Sequence, residues 1–139
     1  LEQTGFGVAA FDVELDGDLD VVVANGRVMR SPLLDLPETA PHWDNYAEAN
    51  RIFLNDGTGL FTPNANPREP FSTRLDVSRG LATGDVDNDG DMDVLVTSVA
   101  APARLLLNVA PRKGHWLELR VVDPALKRDA IGARVTVRA

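Results

Sequence analysis

The sequence has no cysteine. Disulfide scaffolds, thiolate zinc sites and thiol catalysis are therefore excluded. It has no apolar run approaching the ~18 residues that a membrane helix needs. No basic stripe stands out, which argues against nucleic acid as a partner. No stretch keeps a sustained helical period, and only 43–49 offers enough for one helical turn. The chain opens on Leu1 rather than Met, so the expectation is that it is a fragment of a larger protein.

What is present is ordinary in amount and unusual in placement. The 139 residues suffice for one domain, with 44% apolar and 25% charged residues, as in globular proteins. There are 14 Lys and Arg against 21 Asp and Glu, a net charge of −7. Ten of the 21 acids fall in two nine-residue windows, 12–20 and 85–93; the rest of the chain carries 14 bases and 11 acids. The acidity is local, which excludes an acidic tail or a generally acidic surface.

The two windows belong to an internal repeat. Residues 7–25 align with 80–98 at an offset of 73, placing Gly7 on Gly80, Asp12 on Asp85, Gly17 on Gly90 and Asp20 on Asp93. A second run follows each copy, Arg51–Asn55 and Arg104–Asn108, at an offset of 53. The first copy thus carries about 20 extra residues, in the segment 27–50 with Pro32, Pro37, Pro41, His42, Trp43 and Tyr46. Internal repeats of this kind point to a solenoid, propeller or array.

The elements read as strands. Val21–Ala24 and Val94–Thr97 are short apolar runs bounded by acidic turns. The sequence Asn55-Asp56-Gly57-Thr58-Gly59 is a hairpin signal between Arg51–Leu54 and Leu60–Thr62. One copy holds four strands, Val8–Val13, Asp20–Ala24, Arg51–Leu54 and Leu60–Thr62. Four antiparallel strands per repeat is the composition of one propeller blade. The predicted fold class is all-β, with propeller blades carrying the two acidic loops, as part of a larger propeller. The expected organisation is a blade over 1–63, a linker over 64–79, an incomplete second blade over 80–110, and a different unit over 115–139. In that last unit, 115–121 and Ile131–Val137 read as strands, and Arg128 and Asp129 as an ion pair in the turn between them. His115 and Trp116 read as packing residues at a strand start.

The chemistry lies in the acidic windows. Asp85, Asp87, Asp89 and Asp93 stand at positions 1, 3, 5 and 9 of a loop, with Gly90 at position 6. Calcium takes six to eight hard oxygen ligands. Alternate residues of a tight loop can aim at one centre, and glycine makes the turn at position 6 without steric cost. Asp91 would add its backbone carbonyl. Two carboxylates ~5 Å apart repel by roughly 3 kcal/mol at an effective dielectric of ~20, so a converged set calls for a cation. The alternative is a pair of solvated Asp-Gly turns. The first copy keeps the frame with Asp12, Glu14, Asp16, Asp18 and Asp20. An EF-hand is excluded, because position 12 is Val23 or Val96 rather than Glu and the flanks are strands. Glu14 is one methylene longer than Asp, and Leu15 offers the turn no hydrogen bond, so loop 85–93 is expected to bind first. No His, Ser or Lys accompanies the carboxylates at useful spacing, so no enzyme is expected.

The pattern DxDxDGxxD between two such strands resembles the FG-GAP or VCBS repeat, the blade of calcium-binding propellers such as the integrin α-subunit head. Gly5–Asp12 and Asn50–Gly57 are similar to that family as well. His115-Trp116-Leu117 followed by Arg128–Val135 resembles the start of an ASPIC/UnbV domain, found after FG-GAP repeats in bacterial exported proteins and cartilage acidic proteins. The resemblance implies calcium and a propeller built with further blades of the same parent chain. It implies an exported location: extracellular, periplasmic or at the cell surface. The expected function is a non-enzymatic interaction or adhesion module for a protein or glycan partner. Two alternatives are a carbohydrate-binding propeller using Trp43 and Tyr46, and an accessory propeller of a polysaccharide-active enzyme.

Overall fold

In a computed structural model, residues 3–29, 42–99 and 101–138 are described. The part of the long insertion at 30–41, with its three prolines, lies outside them. The strands of the first repeat are β1 (Gly5–Phe11), β2 (Asp20–Asn25), β4 (Arg51–Asn55) and β5 (Phe61–Pro63). They form one antiparallel sheet in the order β1-β2-β4-β5. The second repeat supplies β7 (Ser78–Gly84), β8 (Asp93–Ser98) and β9 (Arg104–Leu106), also antiparallel. Short strands β3 (Glu48–Ala49) and β6 (Leu75–Asp76) pair separately, as do β10 (Val122–Asp123) and β11 (Arg128–Asp129).

The repeat in sequence is a repeat in register. Ala9 faces Val22 across β1 and β2, as Ala82 faces Leu95 across β7 and β8. Val22 faces Ile52, as Leu95 faces Leu105. Both first ladders slip at their start, between Gly5 and Gly7 and between Ser78 and Leu81. Side chains alternate across each strand, so Phe11, Val22, Ala24 and Ile52 share one face of the first sheet. That face packs against Val94, Val96 and Leu106 of the second sheet. Gly7 makes the close approach possible, since a Cβ there would lie 2.7 Å from the Leu81 Cβ.

Three expectations are corrected. The segment 64–79 is not a bare linker: it forms α1 (Pro70–Thr73) and β6, and Phe71 is 2% exposed in the core. Glu69 caps α1, accepting the backbone N–H of Phe71 and of Ser72. Residues 115–121 and 131–137 are not strands, and the pair β10–β11 lies between them. Alternation alone misled there: most apolar side chains in these stretches remain exposed, so no core fixes them as sheet. Asp129 pairs with Arg120 at 3.0 Å rather than with its neighbour Arg128. The two lie on consecutive β11 positions, which point to opposite faces. The helical turn expected near 43–49 is a 3-10 helix over His42–Tyr46.

Candidate metal centre

Loops 12–20 and 85–93 each leave the first strand of a sheet and enter the second. Both close by the same bonds. Asp12 accepts the N–H of Asp16 at 3.0 Å and of Gly17 at 2.8 Å. Asp85 accepts those of Asp89 at 3.1 Å and Gly90 at 3.0 Å. Asp16 and Asp89 then accept from Asp18 and Asp91, each at 3.2 Å. These carboxylates satisfy backbone donors that a loop would otherwise leave open. Gly17 and Gly90 take φ of 99° and 93°, the left-handed region that glycine enters without penalty. Position 4 is left-handed too, with Leu15 at 53° and Asn88 at 60°. Asparagine tolerates that conformation and leucine does so poorly.

Position 9 ties each loop to the third strand of its sheet. Asp20 is fully buried and Asp93 is 1% exposed. Asp20 accepts the N–H of Val13 and of Asn55, each at 2.8 Å. Asp93 accepts the N–H of Val86 and of Asn108, each at 2.8 Å. One carboxylate thus fixes the entrance of the loop, its exit and the end of the neighbouring strand. Each oxygen keeps a lone pair beyond the bond it makes.

The structure brings three of the expected ligands together. Asp85, Asp87 and Asp89 each offer an oxygen, and the three lie within 4.8 Å of one another. Among the described residues this is the one acidic group so converged. Asp91 stands apart: it is 2% exposed, and its carboxylate faces Arg112, with Nε at 3.3 Å and Nη2 at 3.2 Å. Arg112 also reaches Asp89. In the first loop, Lys113 bonds Glu14 and lies 3.2 Å from Asp16.

Arg112 and Lys113 are the residues that sequence reasoning missed. They sit on one strap that crosses between the loops. Asn108 donates its side-chain N–H to the carbonyl of Val13 at 2.8 Å, and the N–H of Lys113 meets the carbonyl of Glu14 at 2.8 Å. A Cβ on Gly114 would lie 2.3 Å from the Leu15 carbonyl oxygen, and one on Gly90 would lie 2.0 Å from the Trp116 ring. Two adjacent bases just past Asn108, in a chain with its acids gathered in two loops, were the available signal.

Backbone hydrogen bonds and removal from water, with neighbouring charges adding, shift the carboxylate titrations in opposite directions. The N–H of Asp18, then Lys113, holds Asp16 below the usual carboxylate value. The N–H of Asp91, with Arg112 adding, lowers Asp89. Asp87 is raised by partial removal from water and then by the charges of Asp89 and Asp93. Asp91 is raised by burial and then by Asp89. Glu14 and then Asp16 raise Lys113.

The opposite ends of the strands carry a buried ionic cluster with a different task. Glu48 and Asp76 face each other across β3 and β6, both nearly buried. Arg27 lies 3.7 Å from Glu48, and Arg104 lies 3.5 Å from Asp76. Asn50, fully buried, accepts the N–H of Asn25 at 2.8 Å. Nearby, His42, Trp43 and Tyr46 cluster with ring centroids 5.2 to 5.8 Å apart, His42 edge-to-face with Trp43 and the other two pairs tilted.

Fold and site together define a class: an antiparallel β repeat whose first connection is an acidic, backbone-capped turn. Residues 40–96 match the FG-GAP-like repeat family. That span runs from the 3-10 turn into β8 and includes loop 85–93. No curated protein and no solved structure matches the chain.

Proposed function

We propose that the chain is a calcium-binding, non-enzymatic interaction module of an exported protein, built as part of a propeller. The observation that carries this reading is the convergence of Asp85, Asp87 and Asp89 within 4.8 Å. The donor set suits the ion: hard carboxylate oxygens, closely grouped, in a loop whose backbone is already fixed. The protein's own cations testify to the local field, since Arg112 and Lys113 are both drawn onto these loops. In this reading Asp85, Asp87 and Asp89 supply ligands, Asp91 supplies its carbonyl and Asp93 closes the loop. Asp12, Glu14, Asp16, Asp18 and Asp20 form the weaker counterpart.

The match to an FG-GAP-like repeat supports an interaction role, since such repeats occur in adhesion modules and extracellular proteins. Among the described residues no helix is long and apolar enough to cross a membrane. Sites of this chemistry in extracellular modules have dissociation constants of ~10⁻⁴–10⁻³ M, which fill outside cells and stay empty in cytosol. Calorimetric titration with calcium tests the reading, with magnesium as the control for cation selectivity. Binding at up to millimolar calcium that disappears in Asp87→Ala supports it. Absence of calcium binding to the folded chain at millimolar concentration overturns it.

A further inference from the structure

We infer that the strap 108–114 is an ionic latch that calcium opens: Arg112 and Lys113 hold it across both acidic loops, and they lose their carboxylates when the loops take up the ion. The inference rests on the calcium reading above and adds to it a part of the chain that responds to the ion.

The internal repeat shows what the strap replaces. At an offset of 53, Asn55 falls on Asn108 and Gly59 on Arg112. After Asn55 the first repeat turns back on itself. Asp56 accepts the N–H of Thr58 at 2.9 Å and of Leu60 at 3.3 Å, and the chain returns as β5 beside β4. After Asn108 the chain crosses the loops instead, and it is held there by charge. Arg112 bonds Asp89 and Asp91, while Lys113 bonds Glu14 and Asp16. Two adjacent residues thus engage two loops that lie at an offset of 73 in sequence. The backbone adds the bond from the Lys113 N–H to the Glu14 carbonyl at 2.8 Å. Beyond Gly114 the Trp116 ring lies against Gly90. The hydrogen bonds of 115–138, among the described residues, run within that segment, as from Ala130 to Val121 at 2.9 Å and from Arg120 to Asp129 at 3.0 Å.

The bases and the ion compete for the same oxygens. Asp89 is one of the three converged carboxylates and also a partner of Arg112. Its repeat equivalent Asp16 is a partner of Lys113. Each loop carries five carboxylates, and one base leaves most of that charge unopposed. A divalent ion at the same distance gains twice the Coulomb energy of a single base, and it repels the guanidinium and the ammonium besides. Both side chains are partly exposed, Arg112 at 39% and Lys113 at 55%, so they can turn into water without crossing the core. Asp91 is buried and would be costly to leave alone. Its N–H meets the Asp89 carboxylate at 3.2 Å, so an ion held by Asp89 offsets its charge in place of Arg112. Linkage is reciprocal: the factor by which calcium loosens the strap is the factor by which the closed strap weakens calcium.

Hydrogen exchange followed by mass spectrometry tests this on the full chain, in EDTA, in millimolar calcium, and in sodium chloride matched to the calcium sample in ionic strength. Calorimetry on the same samples reports whether calcium is bound. In calcium the amides of 112–116 are expected to exchange at least about fivefold faster than in EDTA, the lower end for coupled sites. The amides of Asp89 and Gly90, inside the loop, are expected to exchange no faster, and matched sodium chloride is expected to reproduce less than half of the effect. The double variant Arg112→Gln/Lys113→Gln is expected to exchange fast over 112–116 already in EDTA, with no further gain in calcium. Lys113→Gln alone, which leaves Asp91 paired, replaces it if circular dichroism shows that the double variant does not fold. Bound calcium with 112–116 unchanged or slowed overturns the latch and leaves the calcium reading standing. Absence of calcium binding overturns both. A variant as protected over 112–116 in EDTA as the wild type overturns the latch without reference to any metal, because the bases then do not hold the strap.

Discussion

Replacing Asp93 by alanine separates a structural role for this residue from a purely metal-ligating one. Asp93 is 1% exposed and accepts the N–H of Val86 and of Asn108, each at 2.8 Å. The substitution removes the only side chain that serves both donors among the described residues. A buried donor left without its acceptor costs about 1–3 kcal/mol, and bonds to charged acceptors lie toward the upper end. Two donors give an expected loss of about 3–5 kcal/mol, a large fraction of the ~5–15 kcal/mol that holds a domain together. The assay is urea unfolding followed by circular dichroism, in excess EDTA. A residue that acts only as a metal ligand would show no loss there. Asp20→Ala should lose a similar amount, because Asp20 makes the same two bonds to Val13 and Asn55. Asp93→Asn should lose less, keeping one acceptor oxygen while turning an amide N–H₂ toward the other donor. A loss below ~1 kcal/mol for Asp93→Ala in EDTA would refute the bracket argument.

Four further outcomes follow from other parts of the molecule. Leu15→Asn should stabilise the chain by about 1 kcal/mol in thermal or urea melts, since it relieves a left-handed leucine at the position where the second loop has Asn88. Phe71→Ala should destabilise by about 3–5 kcal/mol if α1 belongs to the core, whereas a linker residue would change little. Arg112→Ala should tighten calcium binding in calorimetry several-fold at low ionic strength and less at high salt, because the guanidinium occupies the carboxylates of Asp89 and Asp91. Lowering pH from neutral should weaken that binding in loop 85–93 before loop 12–20. The ligand Asp87 binds its proton at higher pH than an ordinary carboxylate, whereas the hydrogen-bonded Asp89 of the same loop and Asp16 of the other both resist protonation. Titrations of the Asp16→Ala and Asp89→Ala variants at stepped pH would resolve the two phases.

The first repeat was readable because several local signals agreed. Alternating apolar residues, the Asn-Asp-Gly turn at 55–57 and the spaced acids all specify the same strands. Candidate ligands were legible as a pattern of spacing, and Asp85, Asp87 and Asp89 do converge. The bracket formed by Asp93 was not, since its partner Asn108 is 15 residues away and contributes only a backbone N–H. Arg112 and Lys113 were missed because pairing across 21 to 99 residues leaves no local periodicity. Phe71 was missed for a related reason: a single apolar residue in a polar stretch has no pattern, and only the groove between two sheets gives it a place.

The two brackets differ in one respect, the length of chain they close. Asp20 reaches Asn55 across 35 residues, and Asp93 reaches Asn108 across 15. Closure entropy grows only with the logarithm of length, so the longer connection costs about 0.8 kcal/mol more for the same hydrogen bond. A repeat closed in this way can accept long inserts between its second and third strands at little thermodynamic cost, provided the insert does not disturb the carboxylate or the N–H it meets. That makes this connection a site where a lineage can graft new sequence onto an old sheet. In the laboratory, it is the natural place to splice a reporter or a second domain into the chain.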